Sequence, residues 1–276
     1  MKSFSFDLAV SLIAGIFVCL IVLPMLALFT TTSFGELVCQ LKSPLVLSAV
    51  LISLETSLIV VFLALCLGIP VAYLLAMKDF KGKEILDTLV DLPISMPPLV
   101  AGLALLILLG GNSKFGGMLS NHGIDLIFSK KGIIIAQLFV SIPFLIKSAR
   151  DAFESINKNV INASLTLGAS KFYTFKTILL PLAKNGIYTG MIMTWARALG
   201  EFGATSMVAG CIPFRTETMT VAIYQNAMSG ELASATAIAL LLLVFSFTLL
   251  LVFKYRVKLA PFGRAVKPLS LSAKNY

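Results

Sequence analysis

Arg197 and Glu201 are full charges set inside an apolar run, Ala196-Arg197-Ala198-Leu199-Gly200-Glu201-Phe202-Gly203-Ala204-Thr205. They lie four residues apart, on one face of a helix, and can neutralise one another there. A paired arginine can offset the cost of bringing an anion into a low-dielectric passage, and the same spacing equally serves a buried pair that only fixes helix register. Gly200 and Gly203 either loosen this helix or admit a close neighbour. Glu55 is a further carboxylate on an apolar run, where it either faces a wet cavity or hydrogen-bonds to an adjacent helix.

Other chemistry is thinly represented. No G-x-x-x-x-G-K-[ST], H-E-x-x-H or G-x-S-x-G pattern occurs, so the chain has no ATPase site of its own and no recognisable hydrolytic set. Cys19, Cys39, Cys66 and Cys211 are scattered rather than spaced as ligand pairs, and His122 is the single histidine, so no metal site is expected. Cys39 and Cys211 share one side of the membrane in the topology derived below and could form a disulfide, with two unpaired thiols the expectation.

The elements that hold these residues are membrane spans. With 58% hydrophobic and 13% charged residues in 276, the chain is too apolar for a soluble fold, in which about 25% of residues are charged. The expectation is an all-α, polytopic bundle forming one transmembrane domain over 1–276. Six apolar stretches are long enough to cross a hydrocarbon core of about 30 Å: 8–29, 45–77, 89–109, 132–149, 182–207 and 232–253. The first lacks a clear cleavage site and reads as an uncleaved helix. The third carries Pro93 and the pair Pro97-Pro98, which remove backbone donors and favour a bent or broken helix. Such breaks are tolerated at membrane depth where they are buried or line a cavity, so 93–102 is either a pathway wall or simply proline-bent packing.

Lysine and arginine set the orientation. With Lys2 they crowd into 78–83, 147–184 and 254–274, leaving Lys42, Lys114, Lys130, Lys131 and Arg215 for the other side and Arg197 within the membrane. Both termini and the segment 150–181 are therefore expected in the cytoplasm, beside an anionic leaflet. The net charge of +9 reports this topology and not a nucleic-acid partner.

Within 150–181, the stretch Asn162-Ala163-Ser164-Leu165-Thr166-Leu167-Gly168-Ala169-Ser170-Lys171 is followed by Ile178-Leu179-Leu180-Pro181. Residues 153–167 are helix-compatible, Gly168 can take the positive φ that ends a helix, and Ser170 can cap the next one. The resulting knob has apolar side chains among lysines, and either docks on a cytoplasmic protein or packs on its own bundle.

The spacing Asn162-Ala163-Ser164, three residues, Gly168, nine residues, Ile178-x-Leu180-Pro181 resembles the cytoplasmic loop motif of ABC importer permeases. In that family the loop docks in a cleft of the ATPase. The family usually begins the motif with Glu-Ala-Ala, where this chain has Asn162, Ala163 and Ser164. The runs 91–102, 196–205 and Ile212-Pro213-Phe214-Arg215-Thr216-Glu217-Thr218 resemble the molybdate/tungstate permease subunit. Sulfate/thiosulfate permeases have similar segments, typically with Tyr-Gly-Ser in place of Phe202-Gly203-Ala204. The resemblance implies a type I importer fold in the plasma membrane, with two copies of this chain, two ATP-binding subunits and an extracytoplasmic oxyanion-binding protein. ATP would be bound by the partner, with no cofactor on this chain. It also implies that Asn162, Ala163, Ser164, Gly168, Ala169, Ser170, Lys171 and Pro181 couple to the ATPase. Arg197, Glu201, Gly200, Gly203, Glu55, Pro97 and Pro98 are the candidates for the pathway and its gate. A stand-alone secondary transporter would show internal repeats and more midplane charges, and an enzyme would need a clustered nucleophile, base or metal set.

Overall fold

A computed structural model describes the backbone of residues 2–30 and 33–259 and, within these, the side chains of 6–30 and 33–251. Every described element is helical: α1 (Lys2–Thr30), α2 (Phe34–Leu41), α3 (Pro44–Met77), α4 (Lys83–Ser95), α5 (Pro98–Leu109), α6 (Lys114–Asn121), α7 (Lys130–Glu154), α8 (Lys158–Thr166), α9 (Lys171–Thr174), α10 (Leu180–Leu199), α11 (Gly203–Ala209), α12 (Met219–Met228) and α13 (Leu232–Leu259). A π-helical turn, Phe175–Leu179, joins α9 to α10.

Four of these helices, α1, α3, α7 and α13, are long and apolar enough to cross a membrane. The pair α4 and α5 makes a fifth crossing if its members count together, bent by 111° at their junction. The bend follows from Pro97 and Pro98, neither of which can donate a helical hydrogen bond, and Met96 before them is extended with ψ 131°. The fifth expected crossing, 182–207, is not one helix: α10 stops at Leu199 and α11 starts at Gly203. The cause is Glu201, whose Oε1 accepts the Ala204 backbone N–H at 2.8 Å and so caps a new helix instead of continuing the old one.

The centre of the bundle is α3, α7 and α10. α3 and α7 run in the same direction, with Glu55 beside Lys130 at one end and Tyr73 against Phe153 at the other. α10 returns antiparallel, placing Gly186 by Ala152, Gly190 by Leu145 and Thr194 by Ser141. In lipid, apolar burial scarcely favours one helix pair over another, and association depends on close approach and interhelical hydrogen bonds. Gly186 and Gly190 supply that approach: a Cβ on Gly186 would lie 2.4 Å from the Ala152 Cβ, and one on Gly190 would lie 3.0 Å from the Leu145 Cα. Ser148 Oγ donates to the Gly186 carbonyl at 2.8 Å, and Trp195 Nε1 donates to Ser57 Oγ at 2.8 Å. α4 is fastened to the far end of α7 by ion pairs, Asp91 with Lys147 at 2.8 Å and Asp87 with Arg150.

One local expectation changes. The helix expected over 153–167 breaks at Ser155–Asn157, where Asn157 caps α8 through the Asn159 N–H. The segment 110–131 holds α6 and the start of α7, and His122 is fixed in it, its Nδ1 lying 2.8 Å from the Met118 carbonyl. All four cysteines are free, as expected.

Candidate functional site

Two sites emerge, one at each break in the bundle. At the joint between α8 and α9, α8 ends at Leu167 in a Schellman arrangement: the Gly168 N–H bonds to the Leu165 carbonyl at 3.0 Å and the Ala169 N–H to the Ser164 carbonyl at 3.1 Å. Gly168 has φ +88°, the left-handed conformation that this motif requires. Ser170 then caps α9 by accepting the Tyr173 N–H at 3.1 Å. Beneath the joint the buried hydroxyls of Ser164 and Thr174 meet at 3.0 Å, tying α8 to α9.

The π-helical turn has a local cause in Pro181. Its ring cannot sit over the Thr177 carbonyl of a regular helix, and it offers no N–H to that carbonyl. The helix widens just before it, the Leu180 N–H reaching back five residues to the Phe175 carbonyl. The turn rests on an aromatic cluster, with Phe175 4.9 Å from Tyr73 and 6.2 Å from Phe153 between ring centres. The joint is thereby keyed to the ends of α3 and α7.

The motif residues do not all face one way. Ala163, Ser164, Gly168, Ala169 and Ser170 line a shallow hollow of about 750 Å³. Asn162 faces a different hollow of about 490 Å³, with Asp79, Lys83 and Glu154. Lys171 and Pro181 are exposed.

The second site forms where the two broken spans touch. Pro98 and Gly203 meet so closely that a Cβ on Gly203 would lie 2.9 Å from the Pro98 Cβ, and one on Gly102 would lie 2.7 Å from the Ala204 Cα. Around this crossing is a cavity of about 330 Å³, lined by Pro97, Pro98, Leu99, Arg197, Gly200, Glu201, Phe202 and Gly203. Arg197 Nη1 lies 2.5 Å from Glu201 Oε2, and the Glu201 side chain is only 1% exposed against 28% for Arg197. The carboxylate thus has the guanidinium on one oxygen and a helix N–H on the other, so its charge is satisfied internally. Arg197 keeps a face toward the cavity.

Glu55 does not join this group. It pairs with Lys130 at 2.6 Å, with both side chains about half exposed at the level of the first turn of α7. Other residues of the crossing had no local signal: Thr220 Oγ1 donates to the Glu201 carbonyl at 2.7 Å, and Phe202 stacks on Tyr224 at 4.9 Å. Both contacts come from α12, which no motif had marked.

Comparison with known proteins agrees with this architecture. The family described as binding-protein-dependent transport system inner membrane component matches residues 64–258. The molybdate/tungstate transport system permease protein WtpB of Pyrococcus abyssi is 36% identical, covering 86% of this chain and 90% of its own. The sulfate transport system permease protein CysT of Salmonella typhimurium is 32% identical, covering 96% of both. The probable transport system permease protein NifC of Clostridium pasteurianum is 34% identical, covering 89% of this chain and 86% of its own. Among solved structures, a bacterial ABC transporter that imports alginate superposes with TM-score 0.69 at 20% identity, covering 96% and 98%, and the MetNI methionine transporter with TM-score 0.62 at 18%, covering 78% and 95%. With its family match, its relatives and its bundle in accord, the chain belongs to the membrane-spanning permeases of ABC importers, the inner membrane components of binding-protein-dependent transport systems.

Proposed function

We propose that this chain forms the translocation pathway of an ATP-driven importer for a tetrahedral oxyanion, molybdate or tungstate first and sulfate second. The observation that carries the reading is the position of Arg197, held by a buried Glu201 at the crossing of the two broken spans and open to the cavity beside Pro97 and Pro98. A dianion in a low-dielectric passage needs positive potential, while an unpaired arginine there would be costly or would hold the ion too tightly. Glu201 holds Arg197 when the passage is empty, and an arriving oxyanion competes for its free face. Gly200 and Gly203 let the crossing close, and Glu55 lies outside it.

The joint around Gly168 is the proposed contact with the ATPase, passing its closure to α3 and α7 through Phe175. The active assembly is two copies of this chain, two ATP-binding subunits and an extracytoplasmic binding protein in the plasma membrane, with ATP bound only on the partner. Both termini and the joint face the cytoplasm. The relatives divide between molybdate/tungstate and sulfate permeases, and Phe202-Gly203-Ala204 favours the former.

The test is oxyanion-stimulated ATP hydrolysis by the permease with its cognate ATPase and binding protein in nanodiscs. Stimulation by molybdate or tungstate at lower concentration than by sulfate is expected, the reverse order selects the sulfate reading, and no stimulation by any of them removes the oxyanion assignment.

A further inference from the structure

The charge of the joint dictates what its partner must carry. Between Glu154 and Glu201 the sequence contains no acidic residue, yet Lys158, Lys171, Lys176 and Lys184 all lie there, and all four are exposed. Among the described residues none of these lysines enters an ion pair. Several carboxylates at this end of the bundle are already engaged, Glu154 and Asp87 with Arg150, Asp91 with Lys147, and Asp79 with Lys83, while Asp151 and Glu84 enter no ion pair among the described residues, with these lysines or any other cation.

Apolar side chains stand exposed among these cations, Leu167 at 88%, Phe172 at 73% and Tyr173 at 57%. A bilayer surface is a poor match for this face. Helices that lie in an interface present one broad apolar stripe, whereas here the apolar groups sit on a corner between two short helices and surround a hollow of about 750 Å³. A concave apolar patch rimmed by one sign of charge matches a protruding apolar side chain flanked by the opposite sign.

We propose that the cleft receiving this joint on the ATPase subunit is acidic: carboxylates meet Lys158, Lys171 and Lys176 around an apolar side chain that enters the hollow beside Leu167. This rests on the reading of the joint as the ATPase contact. Rim charges of this kind act mainly on the rate of encounter, and their effect falls as salt shortens the Debye length from about 30 Å at low ionic strength to about 3 Å at high.

The experiment measures association of the cognate ATPase subunit with the permease in nanodiscs of neutral phosphatidylcholine, across that range of salt. The combined variant Lys158→Gln, Lys171→Gln, Lys176→Gln leaves no buried charge behind, and is expected to associate about tenfold more slowly at low salt with a flattened salt dependence. Wild-type rates and wild-type salt dependence in that variant overturn the proposal. So does a defect that appears only when anionic lipid is added, because the lysines would then serve the bilayer. The pair Leu167→Asp with Phe172→Asp reads docking itself: if it abolishes association while the lysine variant binds normally, only the acidic cleft is refuted. If neither variant changes association, the docking reading fails with it.

Discussion

The joint around Gly168 and the crossing around Arg197 are both breaks in helical structure, and they treat charge in opposite ways. At the joint, lysines have no ion-pair partner among the described residues, and large apolar side chains stand exposed. At the crossing, Glu201 is buried and both of its oxygens face donors, while Pro98 packs directly on Gly203. A surface that is left incomplete waits for another protein. A site that completes itself must instead be opened, and opening it means separating a charge pair that has little water to fall back on. On the proposed function, the two breaks serve different steps, the joint assembly and the crossing passage.

They also differ in how readily they could be read from sequence. The joint is local, since Gly168, Ser170 and Pro181 act on backbone within a few residues; Gly168 and Ser170 do in the structure what their type and spacing predict, while the π-helical turn before Pro181 was not expected. The crossing is not local. Pro97 and Pro98 predicted a break, and Arg197 with Glu201 predicted a pair, but nothing in the sequence states that the two breaks touch more than one hundred residues apart. The second break was missed because 182–207 reads as one run long enough to cross a membrane despite its few charges, and the force that interrupts it is the side chain of one of those charges capping the backbone three residues on. Glu55 follows the second of its two readings: the first turns of α3 extend past the start of α7 and bring it level with Lys130 on that adjacent helix, which donates to it at 2.6 Å.

The largest effect should come from unbalancing the crossing. Arg197→Met leaves Glu201 buried without its cation, a change that costs about 3–5 kcal/mol, so the purified permease should lose most of its folded population in a thermal melt. The double variant Arg197→Met with Glu201→Gln leaves no charge unpaired and should recover much of that stability while importing little oxyanion. Near-normal uptake by the double variant would make Arg197 a packing residue and erase the functional half of the contrast.

A smaller effect is expected at the joint. A side chain on Gly168 meets nothing within 4 Å, so its cost is that of the left-handed backbone alone, about 1–2 kcal/mol for an L residue. Gly168→Val should therefore insert and dimerise normally but reshape the α8–α9 corner, lowering ATPase coupling. Gly168→Asn, which tolerates positive φ, should retain most of it. Equal coupling in the two variants would show that the corner geometry is not what the partner reads.

The smallest effect tests whether burial without neutralisation occurs anywhere outside these two breaks. Glu217 is 8% exposed, in the segment between α11 and α12 beside a hollow of about 410 Å³ that also holds Cys211, Gln225 and Glu231. The Cys211 thiol contacts it at 3.8 Å, and among the described residues no cation lies within ion-pair distance of it. Burial pushes its carboxyl above the ordinary glutamate value, with the thiol acting weakly in the opposite sense. The folded chain then holds this proton more tightly than the unfolded chain, so stability from this group is fully present below the ordinary glutamate pKa of about 4.3 and is lost as pH rises through the raised value. Glu217→Gln should melt at a higher temperature than wild type at neutral pH, and the two curves should converge as the pH falls toward 4.3. A variant that melts lower than wild type at neutral pH would mean that the carboxylate is held by a cation after all, and this hollow would then follow the same rule of internal neutralisation as the crossing.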